Sequence, residues 1–198
     1  MTQREAMNHI WKHEEWKDLR LAEARQLLLQ KIREAPRLGD LTVRQLCVLA
    51  TDGDPPVGLY IFVDGDEIIY AGKTHGRSLH ERMVSHIEHR EPIPGSPHLA
   101  RLVQSMIKND QAKDGKEASE KVLNLRILWM PVPGEIATRC HKNLIAVIER
   151  RLLWNGCLNP RMNSPRVRNA DTFSLQGEMH QLTPDVILGS PVAETLLA

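Results

Sequence analysis

Residues 57–63 read VGLYIFV, residues 64–66 DGD and residues 67–71 EIIYA. Two runs rich in β-branched and aromatic residues flank an Asp-Gly pair, which predicts an antiparallel hairpin. The only two tyrosines of the chain, Tyr60 and Tyr70, fall on its two arms. Side chains alternate between faces along a strand, so the loop length fixes how the two rings relate. An odd loop puts both on one face, and a two-residue Asp-Gly turn puts them on opposite faces. The pair also fits two aromatics covering the edge of a core.

Outward from the hairpin, the period changes. Residues 3–35 carry Met7, Ile10, Trp11, Leu21, Leu28 and Ile32 near a 3.6 repeat, which predicts one long helix ended by Pro36 and Gly39. A short helix is expected over 42–50, and the breakers of 51–56 mark a boundary. Beyond the hairpin, helices are expected over 76–89 and 99–108, a polar loop over 109–120, a strand over 122–132 and a long helix over 135–155. Residues 156–163 form a turn-rich exit, and 164–198 show little periodicity. The expected organisation is a helical extension (1–54), a core (55–165) and a tail (166–198).

The chain has 198 residues with 26 Lys+Arg against 25 Asp+Glu; 41% are apolar and 26% charged, ordinary globular values that exclude wholesale disorder and a collagen-like chain. No apolar run approaches the ~20 residues of a membrane span. Cys47, Cys140 and Cys157 are odd in number and far apart, which fits neither a disulfide framework nor a zinc site. The charged N-terminus does not read as a secretory signal. A soluble, cytoplasmic setting is expected.

Several residues carry possible chemistry. Gly72-Lys73-Thr74 lacks the spacing of a phosphate loop. Arg82 and His86 are four apart on the expected 76–89 helix, beside Leu79, Met83 and Ile87. They fit a phosphate-holding pair, or else a solvated face. Glu149 borders an apolar stripe of Ile145, Leu152 and Leu153, where a carboxylate is costly unless paired or bound to a cation. From Arg139 to Arg168 there are seven Lys/Arg (Arg139, Lys142, Arg150, Arg151, Arg161, Arg166, Arg168), and Glu149 is the one acid. A single-cation phosphate site has that look. A surface pair with Arg150 or Arg151 is the alternative.

In order, the chain presents Gly58-Leu59-Tyr60, Tyr70-Ala71-Gly72-Lys73, helical Arg82 and His86, helical Glu149-Arg-Arg-Leu-Leu, and Pro160-Arg161-Met162-Asn163. This series resembles the GIY-YIG nuclease superfamily over residues 57–163. Leu59 and Ala71 stand where that family has Ile. The resemblance implies an α+β fold: a small three-stranded, mainly antiparallel sheet flanked by helices, here with the N-terminal helical extension and an irregular C-terminal tail.

It also implies a DNA endonuclease using one divalent cation, Mg²⁺ or Mn²⁺. Tyr60 would act on the attacking water, with Lys73 and Arg82 lowering its pKa or the proton moving in concert. Arg82 would also stabilise the phosphorane charge. Tyr70 would bond phosphate or water, His86 would assist, and Glu149 would be the metal ligand. Arg150, Arg161, Asn163, Arg166 and Arg168 would bind substrate. The free-standing chain reads as a type II restriction enzyme working as a homodimer on double-stranded DNA. Trp11, Trp16 and Leu27-Leu28-Leu29 would supply the interface. The alternatives are a repair or structure-specific nuclease and, less favoured, a non-catalytic DNA-binding protein.

Overall fold

The computed structural model describes residues 10–47, 57–74, 78–89, 100–132, 148–152, 161–162, 172–175, 178–181, 185 and 187–188. The hairpin forms as β1 (Val57–Asp64) and β2 (Glu67–Thr74). Asp64 pairs with Glu67 across a two-residue turn in which Gly65 has φ 57°, a conformation that suits glycine. The register shifts between Phe62 and Val63: Val63 faces Ile68, whereas Phe62 faces Tyr70. Ile69 is therefore an extra residue, a β-bulge.

The bulge resolves the question of the two rings. The turn has two residues, which alone would separate the tyrosines. The extra residue restores the parity, and Tyr60 and Tyr70 share a face. Ile69 and Tyr70, consecutive in sequence, both join the apolar cluster of Tyr60 and Phe62. Ile68 and Ala71 join the opposite cluster with Leu59, Ile61 and Val63.

β3 (Arg126–Val132) pairs antiparallel with β1, giving the order β2-β1-β3. The α+β class with a three-stranded antiparallel sheet is as expected from the sequence. Ile10 bridges Trp129, and Leu38 N and Ile127 N bond Leu125 O and Pro36 O, so chain from the N-terminal region lies along the outer edge of β3.

Helices cover both faces of the sheet. On the Leu59/Ile61 face lie α1 (His13–Trp16) and α2 (Leu21–Glu34), with Ile148, Leu152 and Leu188. The long helix expected over 3–35 is thus broken. Trp11 and Trp16 are both fully buried in one cluster, whereas five residues along a continuous helix would set them roughly 140° apart. The conflict is removed because Trp11 lies before α1, in chain whose N–H donates to Trp129 O at 2.7 Å; a second break, at residues 17–20, separates α1 from α2. Trp16 Nε1 donates to Trp11 O at 3.1 Å, and Glu23 accepts from Arg20 N at 2.9 Å to start α2.

On the Tyr60 face lie a 3₁₀ turn (Leu38–Asp40), α3 (Val43–Cys47), α4 (Leu79–Ile87), α5 (Arg101–Lys108) and α6 (Gly115–Asn124). α3 begins at a Thr42/Gln45 capping box and α4 at a Ser78/Glu81 one. The polar loop expected over 109–120 is corrected: it contains most of α6. Asp114 caps that helix by accepting from Glu117 N at 2.8 Å, and Ala118 and Val122, four apart, supply its buried stripe. Residues 122–124 accordingly belong to α6, and the strand expected from 122 begins at Arg126.

Within the long helix expected over 135–155, the described residues 148–152 are helical. The irregular tail is also corrected. β4 (Thr172–Leu175) and β5 (Glu178–Gln181) pair as an antiparallel hairpin. Leu188 is buried, and its N–H donates to Leu19 O at 2.7 Å.

Candidate active site

β1 presents Tyr60 in the middle of the sheet, directly opposite Gly72 of β2. A Cβ at Gly72 would lie 2.5 Å from both Cζ and Oη of Tyr60, so glycine lets the phenol rest on the backbone of β2. Gly58 is equally constrained, because a Cβ there would fall 2.2 Å from Met130 O. The glycines of the two tyrosine triplets are therefore required by close approach.

α4 brings its stripe onto the same face. His86 is buried, and its Nε2 lies 2.6 Å from Tyr60 Oη. The rings of Tyr60, Phe62 and Tyr70 surround the imidazole at centroid distances of 5.3, 5.4 and 5.1 Å. The Tyr60 and Tyr70 rings lie tilted to each other with centroids 6.2 Å apart. Arg82, one turn before His86, is half-buried, and its Nε is buried with no hydrogen-bond partner among the described residues. Such an atom is costly and suits an acceptor brought by a ligand.

Electrostatics set the protonation states. Burial lowers the His86 pKa to about 4, with the Arg82 charge adding to the shift, so the imidazole is neutral near pH 7. Burial pushes the Tyr60 phenol above its ordinary value. Tyr70 and Glu149 add to that rise, and Arg82 opposes it. Tyr70 is likewise raised, first by burial and then by Glu149. The expectation that Lys73 and Arg82 would depress the Tyr60 pKa is corrected: burial outweighs Arg82, and the phenol keeps its proton. A neutral phenol against a neutral imidazole at 2.6 Å is a pair through which a proton can pass in concert.

Glu149 comes from the opposite side of the sheet. Ile148 and Leu152 anchor its helical segment in the Leu59/Ile61 cluster, and its carboxylate meets Lys73 at the edge of β2, 2.6 Å from Nζ. It is close enough to raise both phenols. Tyr60, Tyr70, Arg82 and His86 thus belong to one face of the sheet, while Lys73, opposite Leu59 in the register, meets Glu149 on the other, near enough for the Glu149 charge to reach both phenols. The alternative of a solvated face gives way for His86, which is buried against Tyr60, and Glu149 pairs with Lys73.

The expected substrate-binding residues are less gathered. Arg150 is half-buried beside Glu149. Arg161 pairs with Glu67 at 3.1 Å, at the turn end of β2, while its N–H and that of Met162 bond Ile68 O and Ile69 O. It is thereby remote from Tyr60. Asn163, Arg166 and Arg168 lie outside the described residues.

The sequence reading missed Arg101, at the start of α5, whose charge lowers the Tyr70 pKa. It also missed Phe62, which walls His86. Neither carries a motif; only the packing of α5 and β1 reveals them.

Among the described residues no group of three or more His, Cys, Asp and Glu side chains gathers as a metal cage. One carboxylate fits a hard cation that keeps most of its waters, and a carboxylate has lone pairs enough to meet both Lys73 and a cation. Comparison of the chain with family models, curated proteins and solved structures finds no match. No helix among the described residues is long and apolar enough to cross a membrane.

Proposed function

We propose that the protein is a divalent-cation-dependent DNA endonuclease of the GIY-YIG kind, hydrolysing phosphodiesters at the Tyr60/Arg82/Glu149 centre. The observation that supports this reading is the Tyr60–His86 pair beside Tyr70 and Arg82 on one face of the sheet, with the Glu149–Lys73 pair at the edge of β2 close enough for its charge to reach both phenols. Arg82, with its unpartnered Nε, takes a non-bridging phosphate oxygen and stabilises the charge that grows on it. Tyr60 orients the attacking water and passes its own proton towards His86 as it accepts one, so no phenolate has to form beforehand. Tyr70, the less buried phenol, extends that path outward. Lys73 holds Glu149 and balances its charge. A cation bound at Glu149, Mg²⁺ or Mn²⁺, supplies Lewis-acid stabilisation of the phosphate.

A homodimeric type II restriction enzyme is the reading carried over from the sequence. One observation favours the alternative, a nicking repair or structure-specific nuclease. Trp11, Trp16 and Leu28, the apolar material for a dimer interface, are fully buried within the chain. The large apolar side chains exposed among the described residues are Leu29, Val43 and Val84.

The test is a time course on supercoiled plasmid with Mg²⁺, using the wild type and Glu149→Gln. Cleavage by the wild type and none by the variant, with DNA binding kept, is expected. A variant cutting near the wild-type rate, or an inert wild type, contradicts the reading. Early linear DNA with discrete bands from a dimer supports restriction. Nicked circles from a monomer support repair.

A further inference from the structure

Arg151 lies two residues beyond Glu149, which turns it roughly 200° around the helix and away from Lys73. It is 3% exposed, and its Nη1 donates to Ile187 O at 2.6 Å and Leu188 O at 3.0 Å. A buried guanidinium is costly unless its donors are met, and its planar fork fixes direction as well as distance. The acceptors are themselves fixed. Ile187 bridges Arg20, Leu188 N donates to Leu19 O at 2.7 Å, and the Leu188 side chain is buried beside α1 and α2. Asp185 adds an ion pair to Arg20 at 3.8 Å.

A tie therefore runs from the break between α1 and α2, through residues 187–188, to the helical segment that carries Glu149. Ile148 and Leu152 hold the same segment by apolar burial, which is non-directional and sets depth more than rotation. We infer that Arg151 is a positioning residue for Glu149: by fastening residues 148–152 to the carbonyls of 187–188, it sets the carboxylate against Lys73 at the edge of β2. The cation-binding part of this inference rests on the function proposed for Glu149; the positional part does not.

The test is a zero-length carbodiimide cross-link between Lys73 and Glu149 in the full chain, quantified by peptide mass spectrometry. The Glu15–Lys31 ion pair in the same sample is the internal reference. In Arg151→Met the 73–149 yield should fall severalfold relative to the 15–31 yield, with Arg151→Lys in between. Mn²⁺ binding without DNA should weaken by roughly 10–100-fold, as when a supporting residue behind a metal ligand is lost. An unchanged ratio in folded Arg151→Met, or both yields falling together, overturns the inference, because either outcome is that of general stabilisation. If Arg151→Met does not fold, Arg151→Lys decides alone: a lower ratio supports the tie, and an unchanged one overturns it. If the ratio falls but the wild type binds no Mn²⁺, the tie stands and the cation role of Glu149 fails.

Discussion

The two faces of the sheet are built from alternate residues of the same strands, yet they differ in kind. Leu59, Ile61, Val63, Ile68 and Ala71 meet Trp11, Trp16, Leu21 and Leu28 in an aliphatic and indole layer. Tyr60, Phe62 and Tyr70 meet His86, whose imidazole ends among the rings, with Arg82 one turn before it. The first face closes the fold mainly by area, and carries at its rim the segment that sets Glu149 against Lys73. The second adds titratable groups whose protonation is set by that same burial. One residue, the bulged Ile69, decides which kind of side chain Tyr70 joins.

The largest effect should come from the first face. Trp16→Ala removes a fully buried indole and should cost about 3–5 kcal/mol in denaturant melts. The rate per folded molecule should stay near wild type. A selective loss of rate would break the division between the faces.

Acid should expose the second face. Burial holds the His86 pKa at about 4 in the fold against an ordinary 6.5, so its contribution to stability is full above pH 6.5 and is lost as pH falls towards 4. That drop is worth about 3 kcal/mol by proton linkage. Melting temperatures of wild type and His86→Gln between pH 7 and 4 should diverge in slope, the variant being the flatter. Parallel curves would mean that the imidazole is not buried neutral.

Gly72→Ala should be milder in stability, about 1–3 kcal/mol, because the Tyr60 ring must move to admit a methyl group. Its cleavage rate should fall with it, since the displaced hydroxyl leaves His86. Unchanged melting and rate would refute the close approach. Smallest of all, Asp114→Ala should cost ~1 kcal/mol by removing the cap of α6, with no change in rate.

The hairpin and the order of the site residues were legible because each is local: a turn pair and a motif. Misreadings came where tertiary packing overrode local pattern. The 3.6 repeat of 3–35 did not reveal that Trp11 and Trp16 must both turn inward. Residues 115–120 read as polar because α6 buries small side chains there, Ala118 and Ser119, and Val122 read as the start of a strand. The side of the sheet on which Tyr70 lies depended on a bulge, which has no sequence signature here. Of the two alternatives for Tyr60, lowering by charge fails because burial dominates its phenol, which leaves the concerted one.

The most direct test of the chemical face is Tyr60→Phe, with cleavage and stability measured on one preparation. The hydroxyl's loss should lower the cleavage rate by roughly 10²–10⁴-fold at unchanged DNA affinity. Leaving His86 Nε2 unpaired should cost only about 1–3 kcal/mol in stability. A variant that melts far lower yet cuts DNA at the wild-type rate per folded molecule would show that Tyr60 is packing alone, and would contradict the account.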